Sequence, residues 1–407
     1  MTDIAPPIVQ SVAVDGRTAS RTERPGTAEQ VAELLRECTQ DDTGVYPVGA
    51  GTHSRVGLTP SSVDVALSLR GLSGVLRYDP DDLVVSVGAG TSIAELAEVL
   101  GERRQWLPVD APGGPAATIG GLLALGLSGP RSLGSPTLRD LLIGIRVAGT
   151  DGTVAGAGGM VVKNVSGLDM GRLHVGARGT LGVITSANFK VWPVPEIEAT
   201  VIATFPGARE GLGEALQRAQ AVRASMLRPV AADIVADQEA VRIAIRFEGR
   251  APGVRRQRDE ACELLGSGTV LEADESAGWW DDHMRRLGFR DDATTAIRLD
   301  GRPRDMVVDG LTIYDAIARG NDGSWRLAIS PGTGRSWLHL DDASDEAVAT
   351  LVAAIPPTTS VGMVAGSTAT RAAHAASMTS QSRGVDRALR EQFDRAGVLN
   401  RGRWPLG

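Results

Sequence analysis

Two short glycine loops contain the residues of this sequence whose types and spacing are best suited to chemistry. The motif Val-Gly-Ala-Gly-Thr occurs at Val48–Thr52 and again at Val87–Thr91. Because glycine has no side chain, such a loop can bring backbone N–H groups close to a phosphate-bearing ligand. The first copy continues into His53 and Ser54 without a helix signal, which favours ligand binding. The second copy leads into a helix-capping sequence at Ser92–Glu95, so an ordinary strand-to-helix turn is the preferred interpretation there.

Neither loop matches the common nucleotide-binding motifs. The dinucleotide fingerprint G-x-G-x-x-G needs a glycine at its sixth position, where this sequence has Ser54 and Ile93. No lysine follows either loop as it does in a P-loop. Yet 27 of the 50 glycines fall between Gly44 and Lys190. Dense, aperiodic glycine therefore predicts a phosphate-rich ligand in this part of the chain, held by a different fold.

The cysteines and histidines exclude several kinds of metal site. Cys38 and Cys262 are the only cysteines, too few for a four-thiolate iron–sulfur cluster or a cysteine-rich zinc site. The histidines are His53, His174, His283, His339 and His374. The closest two are 35 residues apart, so there is no local pair of metal ligands and we expect no metal.

Charge and hydropathy limit the partners and the location. The net charge of −7 disfavours a nucleic-acid partner, which would need a basic surface. The N-terminal segment has an acidic residue at position 3 and no long apolar run, so no signal peptide is expected. No uncharged apolar stretch reaches the length of a membrane-spanning helix. We therefore expect a cytoplasmic protein.

Capping signals and periodicity predict the elements that must position the first loop. Thr27 and Gln30 form a capping-box pattern ahead of an amphipathic helix face that begins at Val31. Pro193 and Pro195 end the last strand of this region. The predicted strands are Val45–Val48, Val63–Leu69, Leu83–Val87, Leu141–Ala148 with a hairpin turn at Asp151-Gly152, and Leu181–Trp192.

The second half of the sequence has the pattern of a separate α+β unit. From about Ile197 to Pro356 it mixes strands such as Val241–Phe247 with helices such as Gly253–Leu265. The sequence Trp279-Trp280-Asp-Asp-His283 is interpreted as the start of a packed helix in preference to a substrate site, because large aromatic residues usually pack.

Four segments together resemble one superfamily of flavoproteins. They are Pro47–Ser54, Ala117–Ala124, Lys163–Asp169 with Gly179–Ile184, and Phe393–Arg403. In this order they resemble the FAD-binding fold of the vanillyl-alcohol oxidase and p-cresol methylhydroxylase (PCMH) flavoproteins, most of all the FAD-binding subunit of glycolate oxidase. The resemblance implies an α+β fold. It places a two-subdomain PCMH-type FAD-binding domain over residues 20–195, an α+β cap domain over 197–380, and a C-terminal segment, 381–407, that returns to the FAD domain.

The resemblance also implies which residues contact FAD. The loop that would hold the pyrophosphate comprises Gly49, Ala50, Gly51, Thr52, His53 and Ser54. The residues that would pass the isoalloxazine and ribityl chain are Thr118, Gly120, Gly121, Ser128 and Gly129. Those on the adenine side would be Gly179, Gly182, Val183 and Ile184, and Asn400 and Arg403 would return to the flavin. FAD is expected to be non-covalent, with attachment through His53 as the alternative, because several family members use a histidine in this loop.

The implied reaction is oxidation of a small 2-hydroxy acid such as glycolate. Flavin N5 would accept hydride while a base, which the resemblance does not identify, removes the hydroxyl proton. Reoxidation would need oxygen, a quinone, or a second flavoprotein subunit and an iron–sulfur subunit. Two alternatives stay open. One is a non-catalytic FAD-binding or assembly subunit, suggested by the lack of a closely spaced histidine pair. The other is a free-standing sugar-alcohol or aldonolactone oxidase with FAD on His53.

Overall fold

The computed structural model describes residues 12–160, 169–207, 209–266, 268–287, 295–320, 323–377 and 380–404. The segment Lys163–Gly167, which contributed to the predicted resemblance, lies outside the described residues. Two groups of elements pack against each other. We call them the N-terminal region, which runs to residue 193, and the cap region, which begins at residue 197.

The N-terminal region contains two main sheets. A three-stranded parallel sheet has the order β3-β5-β4, and a five-stranded antiparallel sheet has the order β10-β9-β11-β7-β6. The elements are β1 (Ala13–Val14), β2 (Arg17–Thr18), β3 (Arg21–Glu23), α1 (Ala28–Gln40), β4 (Val45–Val48), β5 (Val65–Ser68), β6 (Val75–Asp79), β7 (Val84–Gly88), α2 (Ile93–Gly101), β8 (Gln105–Trp106), α3 (Ile119–Leu125), α4 (Leu138–Leu141), β9 (Leu142–Ala148), β10 (Val154–Gly158), α5 (Met170–His174), β11 (Val183–Lys190) and β12 (Trp192–Pro193). Short 3₁₀ helices cover Leu69–Leu72 and Pro130–Leu133.

Both predicted helix caps are present, with one difference in detail. Ser92 and Glu95 form the reciprocal capping box before α2, which confirms that the second glycine loop turns into a helix. Thr27 caps α1 by accepting a hydrogen bond from the backbone N–H of Gln30. The Gln30 side chain, however, accepts from the backbone N–H of Gly26 and not from that of Thr27. The predicted capping box is therefore only half formed, because the amide reaches one residue further back.

The cap region is built on one eight-stranded sheet with the order β16-β13-β15-β14-β18-β19-β17-β20. All its ladders within the described residues are antiparallel. The elements are β13 (Ile197–Pro206), α6 (Arg209–Ala224), β14 (Ala231–Ala236), β15 (Ala240–Gly249), α7 (Ala251–Leu265), β16 (Thr269–Glu272), α8 (Ala273–Arg286), β17 (Thr295–Asp300), α9 (Met306–Gly320), β18 (Trp325–Ser330), β19 (Arg335–Leu340), α10 (Asp345–Ala353), β20 (Ser360–Ala365), α11 (Thr368–Ser377) and α12 (Ser380–Phe393).

The two faces of the eight-stranded sheet have different partners. One face packs on α6, α7, α9 and α10 in an apolar core that includes Ile243, Ile245 and Phe247. The opposite face contacts α8 through Trp280 and joins the core of the N-terminal region through Ala328 and Trp337. Side chains alternate along a strand, so Arg246 and Glu248, which alternate with Ile245 and Phe247 in β15, lie on the opposite face, toward the N-terminal region. The junction of the two regions is therefore both polar and enclosed.

The pair Trp279-Trp280 lies near the middle of α8 and not at its start. This part of the prediction was wrong in position, although its helical packing is confirmed. The helix begins at Ala273, where Asp274 and Glu275 in the first turn suit the positive end of the helix dipole.

After α12 the chain returns to the parallel sheet of the N-terminal region. The backbone of Val45 accepts a hydrogen bond from Asn400 and donates one to Val398, each at 2.8 Å. Val398 and Leu399 are fully buried in the core beneath α1. The segment from 394 to 404 is thus held in place by main-chain pairing as well as by apolar contact.

Candidate functional site

A cavity of about 980 Å³ opens where the first glycine loop, α3, the turn before β11 and the segment after α12 meet. All of the predicted FAD contacts except Ser128 and Gly129 line this cavity. They are Gly49, Ala50, Gly51, Thr52, His53, Ser54, Thr118, Gly120, Gly121, Gly179, Gly182, Val183, Ile184, Asn400 and Arg403. Segments that are far apart in sequence therefore converge on one space.

The first loop leaves β4 in a conformation and a packing that require glycine. A Cβ atom on Gly49 would lie 2.1 Å from the Oγ1 of Thr118, whose side chain caps α3. Gly51 has a φ of +77°, in the left-handed region, and a Cβ placed on it would meet no atom within 4 Å. The first glycine thus permits close packing of two loops, and the second leaves open space beside the backbone.

Backbone amides of this loop fit an anion. The N–H groups of Ala50, Gly51 and Thr52 have no hydrogen-bond acceptor among the described residues, and all three residues line the cavity. Consecutive free amides in a turn form a concave site for a phosphate group. Together with the open space beside Gly51, they fit the pyrophosphate that the resemblance to FAD-binding proteins implies.

His53 is a neutral histidine at the wall of the cavity. Its Nδ1 lies 2.9 Å from the Oγ1 of Thr52. Burial lowers the pKa of His53 to about 4, although a hydrogen bond to the backbone of Pro112 opposes that shift. The imidazole is therefore uncharged at neutral pH, the state in which a ring nitrogen can act as a nucleophile.

The far end of the cavity is closed by the turn before β11 and by the C-terminal segment. Asn400 donates from its side-chain amide to the carbonyl oxygens of Arg178 and Gly179, at 3.0 and 3.3 Å. Arg403 donates to the carbonyl oxygens of Ser54 and Val56, which fixes the end of the first loop. Burial lowers the pKa of Arg403 to about 10, so the guanidinium remains charged at neutral pH.

Ser128 and Gly129 lie at the junction with the cap region and do not line the cavity. A Cβ atom on Gly129 would lie 2.4 Å from the Cβ of Asp110 and 2.9 Å from the Sδ of Met284 in α8. The carbonyl oxygen of Ser128 accepts a hydrogen bond of 2.8 Å from Arg335 of β19. The glycine here permits contact between the two regions of the protein.

The cavity residues that sequence reasoning did not assign to the site include His174, Arg178 and Trp404. The Arg178 guanidinium lies over the Trp404 ring, 4.6 Å from its centroid. Arg178 also has a φ of +60°, which is unusual for a residue with a side chain and is often found at functional positions. The sequence signal that could have identified Arg178 was its position directly before Gly179, a predicted FAD contact.

A buried ionic network connects the N-terminal region to the cap sheet. Arg131 contacts Asp110 and Glu248, and Glu248 also contacts Arg246 at 3.0 Å. The side chains of all four are at most 6% exposed. Burial raises the pKa of Glu248, while Arg131 and Arg246 act in the opposite direction. This network lies next to the Ser128-Gly129 contact and holds the two regions in register.

Two further properties bear on the expected chemistry. Among the residues that the structure describes, no group of three histidine, cysteine or acidic side chains is arranged to hold a metal ion. Within the same part of the chain, no helix is both long enough and apolar enough to cross a membrane.

Comparison with known sequences points to the same cofactor. Residues 19–158 match the family described as FAD binding domain. Glycolate oxidase subunit GlcE of Escherichia coli (strain K12) is 36% identical over 169 residues, covering 41% of this chain and 48% of that protein. Glycolate oxidase subunit GlcD of Bacillus subtilis (strain 168) is 28% identical over 205 residues, covering 50% of this chain and 43% of that protein. The chain spans about half the length of the curated relatives it matches.

Comparison with solved structures extends the likeness to the cap region. Glucooligosaccharide oxidase from Acremonium strictum is 14% identical with a TM-score of 0.72, covering 97% of this chain and 93% of that one. Alkyldihydroxyacetonephosphate synthase is 17% identical with a TM-score of 0.69, covering 93% of this chain and 76% of that one. At these identities the likeness shows the fold, and the predicted α+β fold class is confirmed. The matched FAD binding domain and the glycine-lined cavity are consistent with an FAD-binding protein of this fold.

Proposed function

We propose that the chain is an FAD-dependent oxidoreductase that oxidises the CH–OH group of a small 2-hydroxy acid. The observation that carries the proposal is the single cavity on which the first glycine loop, Thr118–Gly121, Gly179–Ile184 and the C-terminal segment converge. The printed names of the relatives support the substrate class. Besides the glycolate oxidase subunits, D-2-hydroxyglutarate dehydrogenase of Bos taurus is 27% identical over 363 residues, covering 82% of this chain.

In this proposal the chain binds and orients, and the flavin supplies the redox chemistry. FAD, when bound, accepts the hydride that leaves the carbinol carbon of the substrate. The amides of Ala50, Gly51 and Thr52 would hold the pyrophosphate, and Arg403 would keep that loop in place through its contacts with Ser54 and Val56. The enclosed junction with the cap sheet would exclude water from the reacting atoms.

Anaerobic reduction of the bound flavin tests the proposal. The FAD-loaded chain would be mixed without oxygen with glycolate, D-lactate, D-2-hydroxyglutarate and a set of polyols. We expect the flavin absorbance to bleach with at least one 2-hydroxy acid. Bleaching by polyols alone would replace this proposal with a sugar-alcohol oxidase, and a chain that takes up no FAD would overturn it.

We propose that FAD is bound without a covalent bond. A structural neighbour is described as carrying 6-S-cysteinyl, 8α-N1-histidyl FAD. Neither Cys38 nor Cys262 lines the cavity described for this chain, whereas His53 does. Acid precipitation separates the possibilities: all yellow colour should remain in the supernatant. A yellow pellet that turns colourless in the His53→Ala variant would instead establish linkage through His53.

A second candidate function is a non-catalytic FAD-binding or assembly subunit. The observation that favours it is that two of the relatives are themselves described as subunits of glycolate oxidase. We infer that the partners would be a second flavoprotein subunit and an iron–sulfur subunit, which would also place the chain beside the inner membrane. An FAD-loaded chain that is inert alone and is bleached only after these partners are added would support the subunit role.

A further inference from the structure

A second pocket lies in the cap region, beside α8 and the ends of β14, β15 and β18. We call it the cap pocket. It encloses about 670 Å³ and is lined by Val235, Asp237, Arg242, Trp279, Asp282, His283, Arg286 and Arg326. None of these residues lines the cavity assigned to FAD. The pocket thus combines three arginines, two carboxylates and an aromatic ring in one small space.

Arg326 is the arginine of this pocket that lacks a carboxylate partner within the described part of the chain. One of its terminal nitrogens, Nη2, lies 3.1 Å from the Nδ1 of His283. Its Nε is buried and makes no hydrogen bond to any described residue. Burial and repulsion by Arg286 lower the pKa of Arg326 to about 10, so the side chain is still a cation at neutral pH. A buried donor without an acceptor is costly, so this group calls for a water, an ion or a ligand as its partner.

A chain of hydrogen bonds fixes the orientation of this guanidinium. Because Nδ1 of His283 faces a donor, its ring proton lies on Nε2, which is 2.8 Å from Asp233 Oδ2. The other oxygen of Asp233 accepts from the hydroxyl of Ser330 at 2.5 Å. Trp279 stacks on the His283 ring with centroids 5.1 Å apart. His283 is therefore held on three sides and acts on Arg326 as a positioning residue.

One of the three cations that line the cap pocket has no direct ion pair within the described residues. Arg242 pairs with Asp237 at 3.3 Å, and Arg286 pairs with Asp282 at 2.8 Å. The third arginine, Arg326, has no such partner among the described residues. The charged side chains that line the pocket sum to one positive charge, and one further buried carboxylate, that of Asp233, reaches Arg326 through His283.

We propose that the cap pocket binds the carboxylate of a small organic monoanion, with Arg326 as the residue that recognises it. A planar guanidinium matches a carboxylate in shape and charge. The exposed part of the Trp279 ring would contact the carbon skeleton of the same ligand. If the anion is the substrate, the assignment rests on the proposed function.

The pocket is connected to the first glycine loop through the end of α8. The carbonyl oxygens of Met284 and Leu287 accept hydrogen bonds from the backbone N–H of Gly113, at 3.3 and 3.2 Å. A Cβ atom on Gly113 would lie 3.0 Å from the imidazole of His53. Arg286 in the pocket wall is thus the sequence neighbour of Leu287, which is hydrogen-bonded to Gly113, and Gly113 lies beside His53.

Calorimetric titration of the FAD-loaded chain with 2-hydroxy-2-methylpropanoate tests the proposal. This anion has the carboxylate and hydroxyl of a 2-hydroxy acid but no hydrogen on the carbinol carbon, so the flavin cannot oxidise it. We expect saturable binding of one equivalent. Arg326→Met should weaken it by about 30-fold or more, because a charged hydrogen-bond donor is lost. Arg326→Lys, which keeps the charge but loses the planar fork, should give an intermediate loss.

Matched variants separate recognition from structural effects. Arg209→Met removes an exposed cap arginine that pairs with Asp315 and should leave the affinity unchanged. His283→Leu should weaken binding less than Arg326→Met does. In a chain that already carries Arg326→Met, adding His283→Leu should reduce the affinity by a smaller factor than it does in the wild type. Equal affinity in the wild type and Arg326→Met, or no saturable binding in the wild type, would overturn the assignment.

The outcome is distinguishable from failure of the proposed function. If the chain binds the analogue through Arg326 but no 2-hydroxy acid bleaches its flavin, the anion site stands and the oxidoreductase proposal is overturned. If the wild-type flavin is bleached and Arg326→Met changes neither binding nor bleaching, the proposed function stands and the anion site at Arg326 is overturned.

Discussion

The cavity proposed for FAD and the cap pocket are made from different parts of the polypeptide. The cavity is lined largely by backbone and small residues, and its key positions are Gly49, Gly51, Gly179 and Gly182. The cap pocket is lined by long charged side chains from two strands, a turn and one helix. A site made of backbone has local sequence signals, because glycine spacing is set by the turn itself. A site made of side chains depends on which strands become neighbours, and this has no short signal.

The largest expected effect concerns the ionic network that joins the two regions. Replacing Arg131 with Met leaves Asp110 and Glu248 buried without their shared cation. We expect the free energy of unfolding to fall by about 3–5 kcal/mol, as measured by urea denaturation. Arg209→Met, which removes an exposed ion pair with Asp315, should leave it nearly unchanged. Equal stability of the two variants would mean that the regions are held together by apolar packing alone.

The next effect would separate the two sites. In Gly49→Ala, the new Cβ would lie 2.1 Å from Thr118 Oγ1, so the loop or the cap of α3 must move. We expect FAD affinity, measured by flavin fluorescence, to fall about 100-fold, roughly 2.7 kcal/mol. Binding of the non-oxidisable anion to the cap pocket should persist in this variant. The control is Gly253→Ala in α7, where a Cβ meets no atom within 4 Å. Unaltered FAD affinity in Gly49→Ala would show that the close packing of these loops is not needed.

A pH dependence is expected from His53. Its pKa in the folded chain, about 4, is below its ordinary value near 6.5, so the unfolded chain binds the proton more readily. The stabilising effect is complete above pH 6.5 and is lost as the pH falls from 6.5 toward 4. Between pH 7 and pH 5, the FAD-free chain should lose about 2 kcal/mol of unfolding free energy through this residue.

The His53→Gln variant isolates that contribution. Its unfolding free energy should fall less between pH 7 and pH 5 than that of the wild type, while His174 and His374 contribute equally in both chains. Identical pH slopes, measured by urea denaturation at the two pH values, would mean that His53 is not desolvated in the folded chain.

The smallest effect would sharpen the contrast between the two glycine loops. Ser92→Ala removes the side-chain cap of α2, which follows the second loop. We expect a loss of about 1 kcal/mol in unfolding free energy. FAD affinity should stay within about two-fold, because the second loop is a helix-capping turn. A ten-fold loss of affinity would instead make the second loop part of the FAD site.

The sequence predictions were accurate for features set by a few consecutive residues and less accurate for features set by contacts between distant parts of the chain. The strand Val45–Val48 was predicted with its observed bounds, and Thr27 and Ser92 were both predicted as caps. These features depend on a few consecutive residues. Ser128 and Gly129 lie outside the cavity because their position is set by Asp110 and Arg335, which are distant in sequence. That dependence could not be read from the local glycine pattern.

The cap pocket shows the limit more clearly. Asp233, His283 and Arg326 come from β14, α8 and β18, and the Asp233 contact with Ser330 spans 97 positions. The order of the eight-stranded sheet places these strands together, and no motif in the sequence predicts that order. The predicted packing of the Trp279-Trp280 helix was confirmed, and the same helix carries His283, which contacts Arg326.

The return of the C-terminal segment sets an order of events during biosynthesis. Arg403 holds the carbonyl of Ser54, 349 positions earlier, and Trp404 forms part of the cavity wall. At about 5–20 residues per second, a ribosome needs roughly 20–70 s to make the chain between these two positions. During that time the nascent glycine loop has no closing wall. Cofactor capture is therefore expected to follow synthesis of the C-terminal segment.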